Sequence, residues 1–266
     1  MTFKLKLFAI KTYKIIFLSI VLMFFAVCTT EINAQEEHLQ PWGYEGGTGP
    51  EHWGEIEHEY EEHMMCREGV YQSPIDINHV LGMHSTDLDF HYSSTPLQIT
   101  NNSHTIHLNY NPGSFISWEN ERFELIQYHF HSPSEHHIHG KAYDMEVHLV
   151  HKTSDHLYVV IGILVKKGKH NPSIQKIWDR IPTKQNKEFW HENEFFNVDD
   201  LLPSTKEYFH YSGSLTTPPC SENVSWFILE HPIEASGEQI RFFQKFIEHN
   251  ARPTQKMHHR IVVKVE

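Results

Sequence analysis

The sequence predicts a mainly β (α+β) fold. It is one domain built on a large, mostly antiparallel twisted central β-sheet, with a few short peripheral helices. Three observations carry this. From Val70 onward the chain is a succession of short segments with alternating polarity, broken by turn residues. Two stretches show helical spacing. No internal repeat and no long linker divides the 266 residues, a length that a single β-rich domain can reach.

Residues 1–34 are set apart from that domain. Lys4, Lys6, Lys11 and Lys14 precede an apolar run from Ile15 to Val27, and Ile32-Asn33-Ala34 offers a small residue for cleavage. This is the order of a signal peptide, and the run is short for the ~20 residues of a membrane span. The expectation is a cleaved signal peptide over 1–34, a domain over 35–266, and an exported protein, periplasmic or secreted. An uncleaved anchor is the alternative. Lipid anchoring at Cys28 ranks lower, because Val27 stands where such a signal wants a smaller residue.

Residues 35–65 are acidic and carry Gly46-Gly47, Gly49-Pro50 and a run from Glu55 to Glu62. They predict an irregular arm with a short helix. Strands follow at Leu97–Thr100, Thr105–Tyr110, Phe123–His131, Met145–His151 and Tyr158–Val165, with two more at Trp226–Leu229 and Arg260–Val265. The Tyr158 run is apolar at both parities, which predicts a central strand. Asn171-Pro172 reads as a helix cap with proline in the first turn, followed by Ile174, Ile177, Trp178 and Ile181. A second helix is predicted from Gly237 to Asn250, with Ile240, Phe243, Phe246 and Ile247 on one face.

The formal net charge is −12, and residues 1–34 contain four lysines and one glutamate, so the remainder is more acidic still. That balance argues against nucleic acid, which needs a positive footprint. Beyond Cys28 the chain has Cys66 and Cys220. In an oxidising compartment a disulfide is the default, with unpaired thiols or metal ligation as alternatives. Such a bridge would close a loop of roughly 150 residues, worth about 4–5 kcal/mol in the chain-entropy model.

The densest chemistry lies in Gln127-Tyr-His-Phe-His-Ser-Pro-Ser-Glu-His136 and in Met145-Glu-Val-His-Leu-Val-His151. With 24 histidines in the chain, neighbouring histidines also arise by chance. Strand parity separates pattern from noise. Gln127, His129 and His131 share one face, and so do Glu146, His148 and Val150. On adjacent strands, three imidazoles would converge beside a carboxylate and an amide. Three neutral nitrogens with an open position is a catalytic zinc arrangement, with Gln127 and Glu146 accepting the outer ring N–H groups. His136, His137, His139 and His151 fit less well. His136 is expected to support Glu135, and His137 and His139 to sit in a turn.

These segments resemble the zinc-binding core of the α-class carbonic anhydrases in their exported bacterial form. Further segments carry the same resemblance in order from about residue 40 to 265: Trp42-Gly-Tyr44, Gly49-Pro-Glu-His-Trp53, Gln72-Ser-Pro-Ile-Asp-Ile77, Tyr211–Glu222 and Asn250-Ala-Arg-Pro253. The resemblance implies one Zn2+ per chain on His129, His131 and His148. Gln127, Glu146 and the Asn250 backbone would be their hydrogen-bond partners. It implies that Thr216 accepts from zinc-bound hydroxide and passes its own proton to Glu135, and that His104 shuttles protons to solvent. Tyr44 and Asn101 would order water. Val150, Val160, Leu215 and Trp226, with Thr217, would form the substrate pocket, and Cys66–Cys220 the disulfide.

The implied activity is reversible hydration of CO2 to bicarbonate and a proton, with sulfonamides and small anions as inhibitors. No nucleic acid is expected as a partner, and a homodimer is left open. One departure is His107, which stands where the family more often has a smaller polar amide; it is expected to line the pocket and to offer a second proton relay. A non-catalytic exported zinc-binding or storage protein is the competing function. A silent relative would typically lack a ligand histidine, and a zinc peptidase would want a His-Glu-x-x-His helix, which is absent.

Overall fold

The computed structural model describes residues 42–56, 63–83 and 88–266. The expected signal peptide, the beginning of the arm and most of the Glu55–Glu62 run lie outside the described residues. Within them, no helix is long and apolar enough to cross a membrane.

Fifteen strands are present among the described residues: β1 Asp76–Ile77, β2 Val80–Met83, β3 Asp89–His91, β4 Thr95–Asn101, β5 Ile106–Asn109, β6 Phe115–Trp118, β7 Glu121–His131, β8 His137–Ile138, β9 Lys141–Ala142, β10 Met145–Lys152, β11 Tyr158–Lys167, β12 Glu188–Phe196, β13 Tyr208–Gly213, β14 Val224–Ala235 and β15 Val262–Val265. Twelve of them form one sheet, whose main path runs β12-β4-β5-β7-β10-β11-β14-β13-β15-β2. Its pairings are antiparallel except β11 with β14 and β15 with β2. The remaining three make a small sheet in the order β1-β8-β9.

Alternation along the central strands sorts side chains onto two faces. Val147, Leu149, Val159, Ile161, Ile163, Phe227 and Leu229 enter one core cluster. Their neighbours Val150, Val160, Leu164, Trp226 and Ile228 enter another on the opposite face. Strand β11 feeds both, which explains its continuous apolar run. The first core is covered by α2 (Pro172–Trp178) and α3 (Gly237–Gln244). The Asn171 carboxamide caps α2 by accepting from the Ser173 and Ile174 N–H groups. Ser236 and Gln239 cap α3 reciprocally.

That second helix is shorter than its apolar spacing predicts. It ends at Gln244, and Phe246 and Ile247 continue the buried stripe through a tight turn. The chain must turn there because the Asn250 N–H donates to the Ser132 carbonyl at the end of β7. The arm contains short 3-10 turns at Gly46–Thr48 and Trp53–Glu55 and the helix α1, Met65–Glu68. Trp53, Ile56, Cys66 and Cys220 make a small third core there, with Cys66 and Cys220 joined in a disulfide.

Candidate metal centre and active site

Strands β7 and β10 are neighbours, and their register sets His129 opposite His148 and His131 opposite Glu146. A bulge makes this compatible with the core. Leu125 pairs with His151 and Gln127 with Val150, so Ile126 is the extra residue. The shift lets Phe123, Leu125, Tyr128 and Phe130 all face the first core, while Gln127, His129 and His131 face the other side.

Each of the three histidines has one ring nitrogen fixed by an acceptor. His129 Nδ1 lies 2.9 Å from Gln127 Oε1, His131 Nδ1 lies 2.6 Å from the Asn250 carbonyl oxygen, and His148 Nε2 lies 2.9 Å from Glu146 Oε1. The opposite nitrogens remain: Nε2 of His129 and His131, and Nδ1 of His148. The donor atoms that the three residues offer lie within 4.8 Å of one another. His131 Nε2 is buried with no hydrogen-bond partner, a costly state that a bound cation would relieve. Burial, then mutual repulsion, holds the His129 imidazole well below its ordinary range, and burial takes His131 to about 4. Neutral imidazoles are what a metal requires. The donor set therefore fits Zn2+.

Glu146 is the hub behind the histidines. Its Oε1 accepts from His148 and, at 2.8 Å, from His136 Nδ1, while its Oε2 accepts from the Glu135 and His136 backbone N–H groups. Burial alone would raise its pKa, but the ring N–H groups of His136 and His148 outweigh that and hold it well below the carboxylate range. His136 thus serves Glu146 and not Glu135 as its sequence position suggested. Its Nε2 lies 2.6 Å from the Tyr211 hydroxyl, which lies 2.9 Å from Ser73 Oγ. Gly162 makes room for this hub. It pairs with His148 on β11, and a Cβ there would sit 2.9 Å from Glu146 Oε1 and 2.6 Å from Ile228 Cδ1. Tyr211 and Gly162 were missed from sequence, and His136 was given the wrong partner, because only the residues packed against them in the fold show their use.

Glu135 Oε1 accepts from the Arg252 backbone N–H at 2.9 Å, and Oε2 stands 3.5 Å from His131 Nε2. Burial raises this carboxyl to about 7, against the pull of His148 and of the Thr216 hydroxyl. Thr216 and Thr217 line a cavity of about 240 Å3 together with Gln127, His129 and His148. Val150, Val160, Leu215 and Trp226 form its apolar side, and Ile126 and Tyr158 complete it. The last two were not anticipated: Ile126 enters through the bulge and Tyr158 through its place at the start of β11. Trp226 Nε1 donates to the Ser214 carbonyl and so ties down the loop that carries Thr216.

Other expected site residues lie apart from this cavity. His104 stacks on Trp42, with ring centroids 3.8 Å apart, and both line a separate cavity of about 460 Å3 that also includes Tyr44. Burial lowers the His104 pKa. Asn101 is buried, its Oδ1 accepting from the Ser103 N–H in the turn before His104. His107 is half-buried on β5 opposite His129, with Nε2 2.9 Å from Asn109 Oδ1, and is not among the residues lining that first cavity. Asn250 does more than offer its carbonyl. Its carboxamide accepts from Ser132 N–H and donates to the Phe130 and His104 carbonyls, which ties the His131 strand to the His104 turn.

The family model described as eukaryotic-type carbonic anhydrase matches residues 48–266. The chain belongs to the α-class carbonic anhydrase family. A curated carbonic anhydrase from Nostoc sp. is 43% identical over 227 residues, covering 84% of this chain and 85% of that protein. Among solved structures, a hyperthermostable carbonic anhydrase from an active hydrothermal vent chimney aligns with TM-score 0.81 at 44% identity, covering 85% of this chain and 100% of that one. The α-carbonic anhydrase of Thermovibrio ammonificans, solved with the inhibitor sulfanilamide, aligns with TM-score 0.80 at 39% identity, covering 84% and 98%. Carbonic anhydrase membership accounts for the mixed twisted sheet, and it assigns the chain to the enzymes of CO2 hydration.

Proposed function

We propose that the protein is an exported, zinc-dependent carbonic anhydrase whose centre is His129, His131 and His148. The observation that carries this reading is the convergence of three ring nitrogens, each on a histidine whose other nitrogen is already taken. When bound, Zn2+ supplies the acidity that makes hydroxide available from water near neutral pH, chemistry for which carbonic anhydrase is itself the standard example.

The residues do the rest. The imidazoles stay neutral, so they leave the cation its full charge. Gln127, Glu146 and the Asn250 carbonyl hold the ring orientations. Ionised Glu135 accepts a hydrogen bond from the Thr216 hydroxyl, whose one proton is then committed, so the threonine oxygen must act as acceptor toward the nucleophile; that orients the nucleophile and disfavours other donors at its position. Val150, Val160, Leu215 and Trp226 hold an apolar substrate beside it without needing a charge, which lowers the barrier by proximity. His104 carries the released proton outward. Its stacking on Trp42, away from the catalytic cavity, supports a ring that collects protons through water and delivers them to buffer. Tyr44 lines the same cavity as His104.

Export over residues 1–34 is part of the same reading, supported by the disulfide. Sulfonamide inhibition is expected by likeness to the sulfanilamide-bound relative. Stopped-flow CO2 hydration with parallel zinc analysis tests the function. The protein should carry one zinc and hydrate CO2 rapidly, and His129→Ala should lose both. A zinc-replete protein no faster than buffer would end the reading.

A further inference from the structure

A second cavity of about 240 Å3 adjoins the catalytic one at the end of the central strands. Trp118, Phe123, Leu157 and Val224 give it apolar surface, and Asn223 and Ser225 stand among its polar wall residues. Tyr158 is the residue common to the linings of both cavities. Its backbone is fixed: the N–H donates to the Asn223 carbonyl, and the residue pairs with Lys152 on one side and Val224 on the other. On β11 it shares a face with Val160, two residues on, and packs against the apolar cluster that includes Val150 and Trp226. Tyr158 therefore stands at an anchored point in line with the apolar wall of the first cavity and also borders the second.

We propose that Tyr158 determines specificity by size, as the septum that closes the catalytic cavity against the second one. With the ring in place, the apolar wall ends at a length suited to a very small substrate. Without it, the two spaces would run together and accept a ligand with an elongated aryl or alkyl tail. This rests on the reading of the first cavity as the zinc-site pocket.

The test compares two sulfonamides on the zinc-loaded protein by calorimetry: sulfanilamide and a para-biphenyl sulfonamide. Tyr158→Ala should improve the affinity ratio in favour of the longer probe by about tenfold, the effect of burying roughly 50 Å2 of further apolar area. Tyr158→Leu, which keeps apolar packing and guards against a misfolded alanine variant, should move the ratio part of the way. Tyr158→Phe should leave it unchanged. Adding Leu157→Trp to Tyr158→Ala, which refills the second cavity, should cancel the gain. An unchanged ratio in both the alanine and leucine variants, in protein that still binds sulfanilamide, overturns the septum alone. A wild-type protein that binds neither probe overturns the pocket reading as well.

Discussion

Thr216 has one hydroxyl proton to place, and the Glu135 carboxylate beside it, held from its other oxygen by the Arg252 backbone N–H, is the acceptor available to it. Thr216→Val removes that directed oxygen without touching a histidine. It should lower kcat/KM for CO2 on the order of 10²-fold, the usual cost of one preorganised polar contact, while zinc content by metal analysis stays at one per chain. His151 offers an independent residue-level test. Burial lowers its pKa from 6.5 to about 3, and its ring is held between the Tyr92 hydroxyl and the Val159 carbonyl. Between those two pH values the unfolded chain binds a proton here that the folded chain refuses, so stability falls as pH drops from 6.5 toward 3. His151→Gln should show a shallower acid loss in urea unfolding between pH 7 and 4.5; equal slopes would rule out this source. His129, His131 and His148 were legible at this scale because strand parity singles them out. The Glu146–His136–Tyr211 chain was not, since its members are brought together by packing across 75 residues of sequence between His136 and Tyr211.

Among elements, β7 and β10 could be read directly from the alternation of their polar and apolar residues, and β11 from a continuous apolar run that two buried faces require. Strand β12 could not. It is an edge strand paired with β4 across an irregularity between His191 and Phe195, and it leaves Phe189, Trp190 and Phe195 exposed, so no clean alternation survives. The bulge at Ile126 was equally hidden, although it decides which residues reach the cavity. Gly162 expresses an element-scale constraint: the β11 position paired with His148 must carry no side chain for Glu146 to keep its place. Gly162→Ala should push the Glu146 carboxylate or Ile228 aside and weaken zinc affinity by about 10- to 100-fold, as loss of a ligand's orienting partner generally does. Competition with a chromogenic chelator measures this, and wild-type affinity in the variant would show that the contact is dispensable.

At the scale of the whole molecule, the disulfide joins positions separated by 154 residues. It also sits inside the network behind the site. Arg252 donates to the Cys66 carbonyl and to Gln72, and Gln72 donates to the Cys220 carbonyl. Closing so long a loop restrains the unfolded chain by about 4–5 kcal/mol. The reduced protein, or the Cys66→Ser/Cys220→Ser double variant, should unfold at a markedly lower guanidinium concentration. A midpoint within error of the oxidised protein would show that the fold carries the constraint without the bond. The central parallel pairing of β11 with β14 was invisible in the sequence, since pattern reports a strand's faces and not its neighbours.

That layout draws the centre from distant parts of the chain. The three imidazoles come from two strands close together in the chain, whereas the Asn250 carbonyl that steadies His131 arrives from 119 positions away. A cation captured by the early strand pair would therefore act as a template on which the late-synthesised third of the polypeptide closes. Refolding with zinc present from the start should outpace refolding with zinc added at the end.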